Sequence, residues 1–347
     1  MKQIVPVVMN SSFERLAAID NYSSLIWTSR YYASGDYELC VEASVANMSL
    51  FKKDYFIVRD DDENVGIVED IKIQHNNDNQ DVLIVSGRFL DGIIARRIIA
   101  KQTTVTGKVS ACIEQLLEEN IIDPEIAERQ IDGFIIESYE VNTSMQAQYT
   151  GKNLLETISE ICRTYGIGYK VTLNDDNEMV FQLYEGVDRT YDQQVNPWVI
   201  FSDKFDNLMS SEYEENYRNL VTAVLVAGEG EGLDRITAWV SDGSTGISRH
   251  EMYKDQRNIQ SNEGEISADE YMDLLEESGK ESLTKYTTAF AGTVFFDNIK
   301  YKEDVGLGDI CVIENSRWGI YINSRLVEVI ESVAETGEYS IVPTFGV

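Results

Sequence analysis

The chain has 347 residues, enough for two or three domains and for substantial cores. Hydrophobic residues make up 43% and charged residues 26%, an ordinary balance for a folded protein, but the net charge is −31. Such a charge repels nucleic acid and anionic membranes, because holding phosphates takes Lys and Arg to displace counterions; simple solubility is one reading of it, and a surface that does not hold passing DNA is the other. The acidity grows along the chain, from −5 over residues 1–100 to −10 over 101–200 and −16 over 201–347. No stretch approaches the roughly 18 uninterrupted apolar residues of a membrane span. The apolar run Ile4–Met9 contains Pro6 and is too short for a signal-peptide core. No linker stands out, and the domains are expected to abut. Cys40, Cys112, Cys162 and Cys311 form no Cys-x-x-Cys pair and sit among apolar neighbours, so buried reduced thiols are expected.

The first hundred residues read mainly as strands. Tyr37, Leu39 and Val41 alternate with polar or small residues, as a half-buried strand requires. Asp54–Arg59 and Val65–Ile73 are expected to form a hairpin around the loop Asp60–Asn64. A polar loop, His75–Gln80, leads to a strand at Asp81–Ser86. Leu90–Ile99 is apolar and ambiguous in period, with a short helix leading out of this module as one reading.

The middle is mixed. Val109, Cys112, Ile113, Leu116 and Leu117 fall at helical spacing. Leu154, Leu155, Ile158, Ile161, Cys162 and Tyr165 form a second helical face, with Gly166 placed to stop it. Tyr169–Leu173 and Met179–Leu183 flank Asn174–Asn177 and predict a hairpin.

The last third returns to strands. Val221–Ala227 and Arg235–Val240 flank a Gly-Glu-rich loop, Gly228–Gly232. Ser267 followed by Glu270 predicts a capped helix with Tyr271, Leu274, Leu275 and Leu283 on its buried face. Strands are expected at Thr293–Ile299, Asp309–Glu314, Gly319–Ile330 and Glu338–Val342. The run from Asp54 to Gly66-Ile-Val-Glu is echoed by the run from Asp309 to Gly319-Ile-Tyr-Ile. Two similar β modules at the chain ends are one reading of this echo; hairpins resembling hairpins is the other. The division expected is an N-terminal β module (1–100), an α+β domain (101–195) and a C-terminal β module (196–347) with one inserted helix (267–283).

Signatures of chemistry are missing. His75 and His250 belong to no metal-ligand spacing and read as loop residues. Gly243-Ser244-Thr245-Gly246 is not a nucleophile elbow. Gly228, Gly230 and Gly232 lead into a strand and carry Glu229 and Glu231 between them, which would repel phosphate. Asp60, Asp62 and Asn64 imitate the start of a calcium loop, but Val65 and Ile71 occupy its glycine and glutamate positions. A glycosidase-type carboxylate pair cannot be singled out among 60 acidic residues. No catalytic, cofactor-binding or metal residue is assigned, no cofactor is expected, and the chain reads as a non-enzyme.

Several stretches together carry a family resemblance: Trp27-Thr-Ser-Arg30-Tyr31 with Gly35-Asp36-Tyr37-Glu38-Leu39; Gly66-Ile67-Val68-Glu69; Val85-Ser-Gly87-Arg88-Phe-Leu90 and Arg96-Arg97-Ile98. They continue in Gly151-Lys-Asn-Leu154-Leu155, Gly166-Ile-Gly168-Tyr169, Gly186-Val-Asp188-Arg189-Thr190, Phe201-Ser202, and Phe205-Asp-Asn207-Leu208, which leads to Asn219 and Gly228-Glu229-Gly230. Leu307-Gly308-Asp309-Ile310, Trp318-Gly319, Arg325–Val329 and Pro343-Thr-Phe345-Gly346 complete them. In this order the chain resembles the hub proteins of siphophage tails and related baseplates. The resemblance implies a β-rich α+β fold: two hub-type β-barrel modules flanking and packed with a small α+β domain. It further implies a virion structural subunit at the tail tip or baseplate, made in the bacterial host cytoplasm. Such a subunit forms a homotrimeric ring that joins the sixfold tail tube to the threefold tip and leaves a channel for DNA. Its partners would be the tail tube or distal tail protein on one side and a tip, spike or fibre protein on the other. The chain is expected to lack the C-terminal extension with which some tail-tip proteins bind hosts or digest walls.

The alternatives are a carbohydrate-active protein and a host-binding adhesin. Trp27, Trp239 and Trp318 read as packing residues, and Trp198, beside Pro197, as a loop anchor.

Overall fold

The computed structural model describes residues 4–75, 81–205, 207–264, 266–283, 287–294 and 299–346. In chain order the first part contains β1 (Pro6–Met9), β2 (Arg15–Ala18), β3 (Ser24–Arg30), β4 (Asp36–Glu42), the short helix α1 (Val45–Leu50), β5 (Phe56–Arg59), β6 (Asp62–Ile67), β7 (Asp70–His75) and β8 (Asp81–Arg88). Strands β1 and β5 are buried along their whole length. They form the middle of a sheet ordered β2-β1-β5-β6 and are covered on both faces, and so their sequence runs are nearly continuously apolar rather than alternating. One face sends Val8 and Ile57 against Trp27, Tyr37, Leu39 and Val41. The other sends Val7, Met9, Phe56 and Val58 against the middle of the chain.

Two expectations for this part change. The hairpin closes on a two-residue turn, Asp60-Asp61, because the Asp62 carboxylate accepts from the Asn64 amide (2.7 Å) and lets β6 start at once. The run Val65–Ile73 is divided at Val68-Glu69, where the chain leaves one sheet and enters the other. Within the loop His75–Gln80, residues 76–80 lie outside the described residues. The segment Leu90–Ile99 forms a 3-10 turn over Leu90–Arg96.

The middle contains β9 (Thr103–Lys108), α2 (Val109–Leu117), β10 (Phe134–Ile136), β11 (Ser144–Tyr149), α3 (Leu154–Tyr165), β12 (Gly168–Leu173) and β13 (Met179–Tyr184). A π-helical turn, Glu118–Ile122, extends α2. Helix α3 is bounded by local chemistry. The Asn153 side chain accepts from the Glu156 amide (3.2 Å), and Gly166 ends the helix at φ 73°. Strands β12 and β13 pair as the expected hairpin, and Asn174 organises its turn by accepting from the amides of Asp176 and Glu178.

The last part contains β14 (Ile200–Ser202), β15 (Leu208–Asn216), β16 (Ala223–Ala227), β17 (Thr237–Ser241), β18 (Glu251–Asp255), α4 (Ala268–Lys280), β19 (Thr287–Val294), β20 (Ile310–Asn315), β21 (Ile320–Val333) and β22 (Tyr339–Gly346). Ser267 and Glu270 form the full capping box of α4. Tyr271, Leu274 and Leu275 pack on Val224 and Val226, and Leu283, beyond the helix end, joins them. Of the strand expected at Thr293–Ile299, residues 295–298 lie outside the described residues, and β19 begins earlier.

One long sheet joins the two ends of the chain, with the path β15-β19-β22-β21-β3-β4-β8-β7. Strand β21 makes the join. Its first half pairs with β20, its second half pairs with β3 (Glu331 opposite Trp27), and β22 follows its other edge. The fold is β-rich with some helices, and among the described residues no sheet closes on itself.

Strand order repeats across this sheet. In the first part β3, β4, β8 and β7 lie side by side, and β6, which runs into β7, pairs with β5. In the last part β15, β19, β22 and β21 lie side by side, and the first half of β21 pairs with β20. Register repeats as well. Phe56 faces Ile67 as Ile310 faces Arg325; His75 faces Asp81 as Val333 faces Tyr339. The match of Gly66 with Gly319 does not hold. The β20–β21 hairpin is longer, so Ser324, opposite Cys311, takes the place of Gly66, opposite Ile57. Between β15 and β19 the chain inserts β16–β18 and α4, where the first part has only Tyr31–Gly35.

Candidate assembly surfaces

Tyr31 pins the three parts together. It follows β3, is fully buried, and its hydroxyl donates to the carbonyls of Gly166 (3.1 Å) and Tyr184 (3.3 Å) and accepts from the Gly186 amide (3.2 Å). The Arg325 guanidinium lies over its ring at 5.2 Å and donates to the Gly308 carbonyl (2.6 Å). Beside it, the Asp309 carboxylate accepts from the Val187 amide (2.7 Å), Arg189 Nε (2.6 Å) and the Gly306 amide (2.9 Å). Gly186 runs so close to the Gly308 peptide that an added Cβ would lie 1.9 Å from its carbonyl. The resemblance motifs at Tyr31, Gly186–Thr190 and Leu307–Ile310 therefore meet at one junction.

A second junction is ionic and lies beside the β3–β21 pairing. Arg59, whose side chain is 0% exposed, donates to Asp61 (2.8 Å) and to Glu331 (3.1 Å), and its guanidinium stacks over Trp27 at 5.2 Å. Lys302 reaches Glu331 (3.1 Å) and Asp62 (2.5 Å), and the Tyr339 hydroxyl donates to Glu331 (2.6 Å). Burial alone would raise the Glu331 carboxyl; Arg59 and Lys302 beside it, with the Tyr339 hydroxyl, bring it below its ordinary value. Burial also opposes the Arg59 charge, but Asp61, Glu331 and Asp62 outweigh it and raise the pKa.

Among the described residues the two ends of the long sheet, β7 and β15, pair with strands on one side only. Every residue of β7 is exposed, including Ile71 and Ile73. Strand β15 carries exposed Glu212, Glu214 and Glu215. The face of the long sheet turned away from the cores presents Glu38, Glu42, Asp70, Lys72, Glu212 and Glu214 to solvent. At the join on this face Arg30 pairs with Asp36 and with Glu328 (2.7 Å).

A cavity of about 670 Å³ opens between the three parts, lined by Asp60–Asn64, Asp91, Tyr169, Lys170, Tyr184, Tyr301 and Lys302. Its cations are committed, Lys170 to Glu63 (2.7 Å) and Lys302 to Asp62. Asp91 accepts from Ser34 Oγ (2.5 Å), and burial lifts its pKa to about 6. The histidines lie elsewhere, His75 on β7 against Asp81 (2.7 Å) and His250 just before β18. Among the described residues no His/Cys/Asp/Glu group could hold a metal. No described helix is long and apolar enough to cross a membrane.

Cys112, Cys162 and Cys311 are buried free thiols as expected; Cys40 is only half-buried because it points to the uncovered face of β4. Trp27 is a core residue, but Trp239 (52% exposed) and Trp318 (51%) are not. Trp239 occupies the outer face of the inserted sheet, and Trp318 the β20–β21 turn. Trp198 anchors its loop by donating to the Gln193 carbonyl (3.1 Å).

A sequence profile described as siphovirus ReqiPepy6 Gp37-like protein matches residues 5–347. The chain belongs to this family of siphovirus tail proteins. Solved structures carry the same fold. A tail protein from Neisseria meningitidis matches with a TM-score of 0.59 at 13% identity, covering 100% of this chain and 97% of its own. The 43 kDa tail protein of prophage MuSo2 from Shewanella oneidensis matches at 0.60 and 13%, covering 99% and 98%. Prophage tail protein gp18 from Listeria monocytogenes matches at 0.56 and 13%, covering 99% and 94%. No curated protein matches the sequence. Membership in this family is membership in a structural class of tail protein, in keeping with the missing catalytic motifs.

Proposed function

We propose that the chain is a structural hub subunit of the tail tip or baseplate, without chemistry of its own, that assembles as a ring of three. The ring joins the sixfold tail tube, or the distal tail protein, to a threefold tip, spike or fibre protein, and leaves a channel for DNA. In this reading the chain is divided into β modules at 1–100 and 196–347, each a barrel-like unit of the ring, and an α+β domain at 101–195.

The observation that carries the reading is the repeated strand order, β3-β4-β8-β7 and β15-β19-β22-β21. Two like modules in each of three copies would present six similar faces to a sixfold tube. The uncovered face of the long sheet is the channel wall in this scheme. Its exposed Glu38, Glu42, Asp70, Glu212 and Glu214 outweigh Lys72, so DNA phosphates would pass without being held. Native mass tests the reading: three 39.3 kDa chains give about 118 kDa. A chain that stays monomeric at high concentration and in the presence of tail-tube protein contradicts it.

A host-binding role is the second reading, and one observation favours it. Trp239, Leu225 and Tyr253 form a row across the outer face of the inserted sheet, with Arg249 over Trp239 (5.0 Å) and Arg235 over Tyr253 (5.9 Å). Retention on cell-wall glycans that is lost in Trp239→Ala would favour it; no retention removes it.

A further inference from the structure

The two free edges of the long sheet are halves of a junction that the chain already makes once with itself. In the last part the second half of β21 is paired with β3 of the first part. The equivalent of that half-strand in the first part is β7, and among the described residues no strand pairs with its outer edge. The equivalent of β3 in the last part is β15, whose outer edge likewise pairs with no strand among the described residues. The path from β15 to β7 contains an even number of strands, all antiparallel, so its two ends run in opposite directions.

We infer that β7 of one subunit pairs antiparallel with β15 of the next, with Ile73 directly opposite Tyr213. This rests on the ring reading above and specifies its seam. The register follows from the internal junction. Glu331 faces Trp27 there. Ile73 holds the place of Glu331, two residues before the paired ends His75 and Val333. Tyr213 holds the place of Trp27, since Trp27 faces Tyr37 on β4 as Tyr213 faces Phe290 on β19.

The register joins like faces, and on the core side Ile71 comes opposite Glu215, whose carboxylate accepts from the Tyr213 (2.6 Å) and Tyr217 (2.7 Å) hydroxyls. Ile73 and Tyr213 lie on the core side, because Ile73 faces the core residue Leu83 and Tyr213 packs against the cluster of Leu326, Val329 and Phe345. Val329 and Glu331, at the places of Ile71 and Ile73, are 1% and 2% exposed; Ile71 and Ile73 are 37% and 54% exposed. The seam would cover them in the same way. On the other face Lys72 comes opposite Glu214, between Glu212 and Asn216. A slip by one residue would set core-side positions against outer-face ones, Ile73 opposite Glu212 or Glu214, because β7 and β15 are each held by their own neighbours. Unpaired, two such edges would invite aggregation.

The test is a disulfide scan in the full chain carrying Cys40→Ser. Ile73→Cys with Tyr213→Cys places the thiols within disulfide reach across the seam. Oxidation is expected to give covalent chains of up to three subunits, at least tenfold more than from Ile71→Cys with Tyr213→Cys or Ile73→Cys with Glu215→Cys. Lys72→Glu, an exposed change that spares the fold, is expected to raise the midpoint concentration for assembly about fivefold, and adding Glu214→Lys to restore it. A stronger cross-link from a slipped pair overturns the register. Assemblies of three that form without any of these cross-links, and without response to Lys72→Glu, overturn the seam and leave the ring reading standing. A chain that never assembles overturns both.

Discussion

Glu331 joins the two ends of the chain, and Glu331→Gln tests how much that joint contributes. The carboxylate is 2% exposed and answers Arg59, Lys302 and Tyr339. Lys302 is partly exposed and can turn to water; Arg59 is fully buried and cannot. Removing the charge therefore leaves one buried guanidinium hydrogen-bonded to Asp61, with Asp62 as the other nearby carboxylate, at a cost of about 3 kcal/mol. For a chain of this length unfolding as one unit, that lowers Tm by about 4 °C. Urea titration at pH 7 and calorimetry measure both. Arg59→Met should couple to Glu331→Gln by about 2 kcal/mol in a double-mutant cycle. The carboxyl lies below its ordinary value, so its contribution is present above about pH 4.5 and is lost as pH falls. The gap between wild type and variant should close in that acid range. A loss under about 1 kcal/mol, or additive single changes, would refute the reasoning.

Asp91→Asn should show the opposite pH behaviour. Burial raises this carboxyl from 3.8 to about 6, so its contribution is complete below about pH 4 and is lost as pH rises through 6, a change of about 3 kcal/mol. The variant should gain on wild type over that window in urea titrations, and parallel pH profiles would contradict this. Gly186→Ala drives a Cβ into the Gly308 peptide and should cost about 3 kcal/mol, read as a drop in Tm; a change within 1 °C would mean the two segments can separate freely.

Local signals made much of the fold legible. Asn153 and Gly166 bracket α3, Ser267 and Glu270 open α4, and Asn174 marks the β12–β13 turn, each through contacts a few residues apart. The long-range joints carry no such mark. Trp27 and Trp239 both sit on alternating strands, but only the face of β3 that carries Trp27 meets a second sheet. Val65–Ile73 reads as one strand because nothing local shows that Val68-Glu69 crosses between sheets. The pairing of β3 with β21 links residues about 300 positions apart, and the shared sheet it creates is invisible to periodicity. The acidity was plain from composition; its gathering on the uncovered face of the long sheet depends on strand order.

Imaging the purified assembly tests the central claim most directly. A closed threefold ring with six like modules around an acidic channel, and continuous sheet across each subunit boundary, is the predicted result. Open head-to-tail filaments, or a ring whose β7 and β15 edges face away from each other, would contradict it.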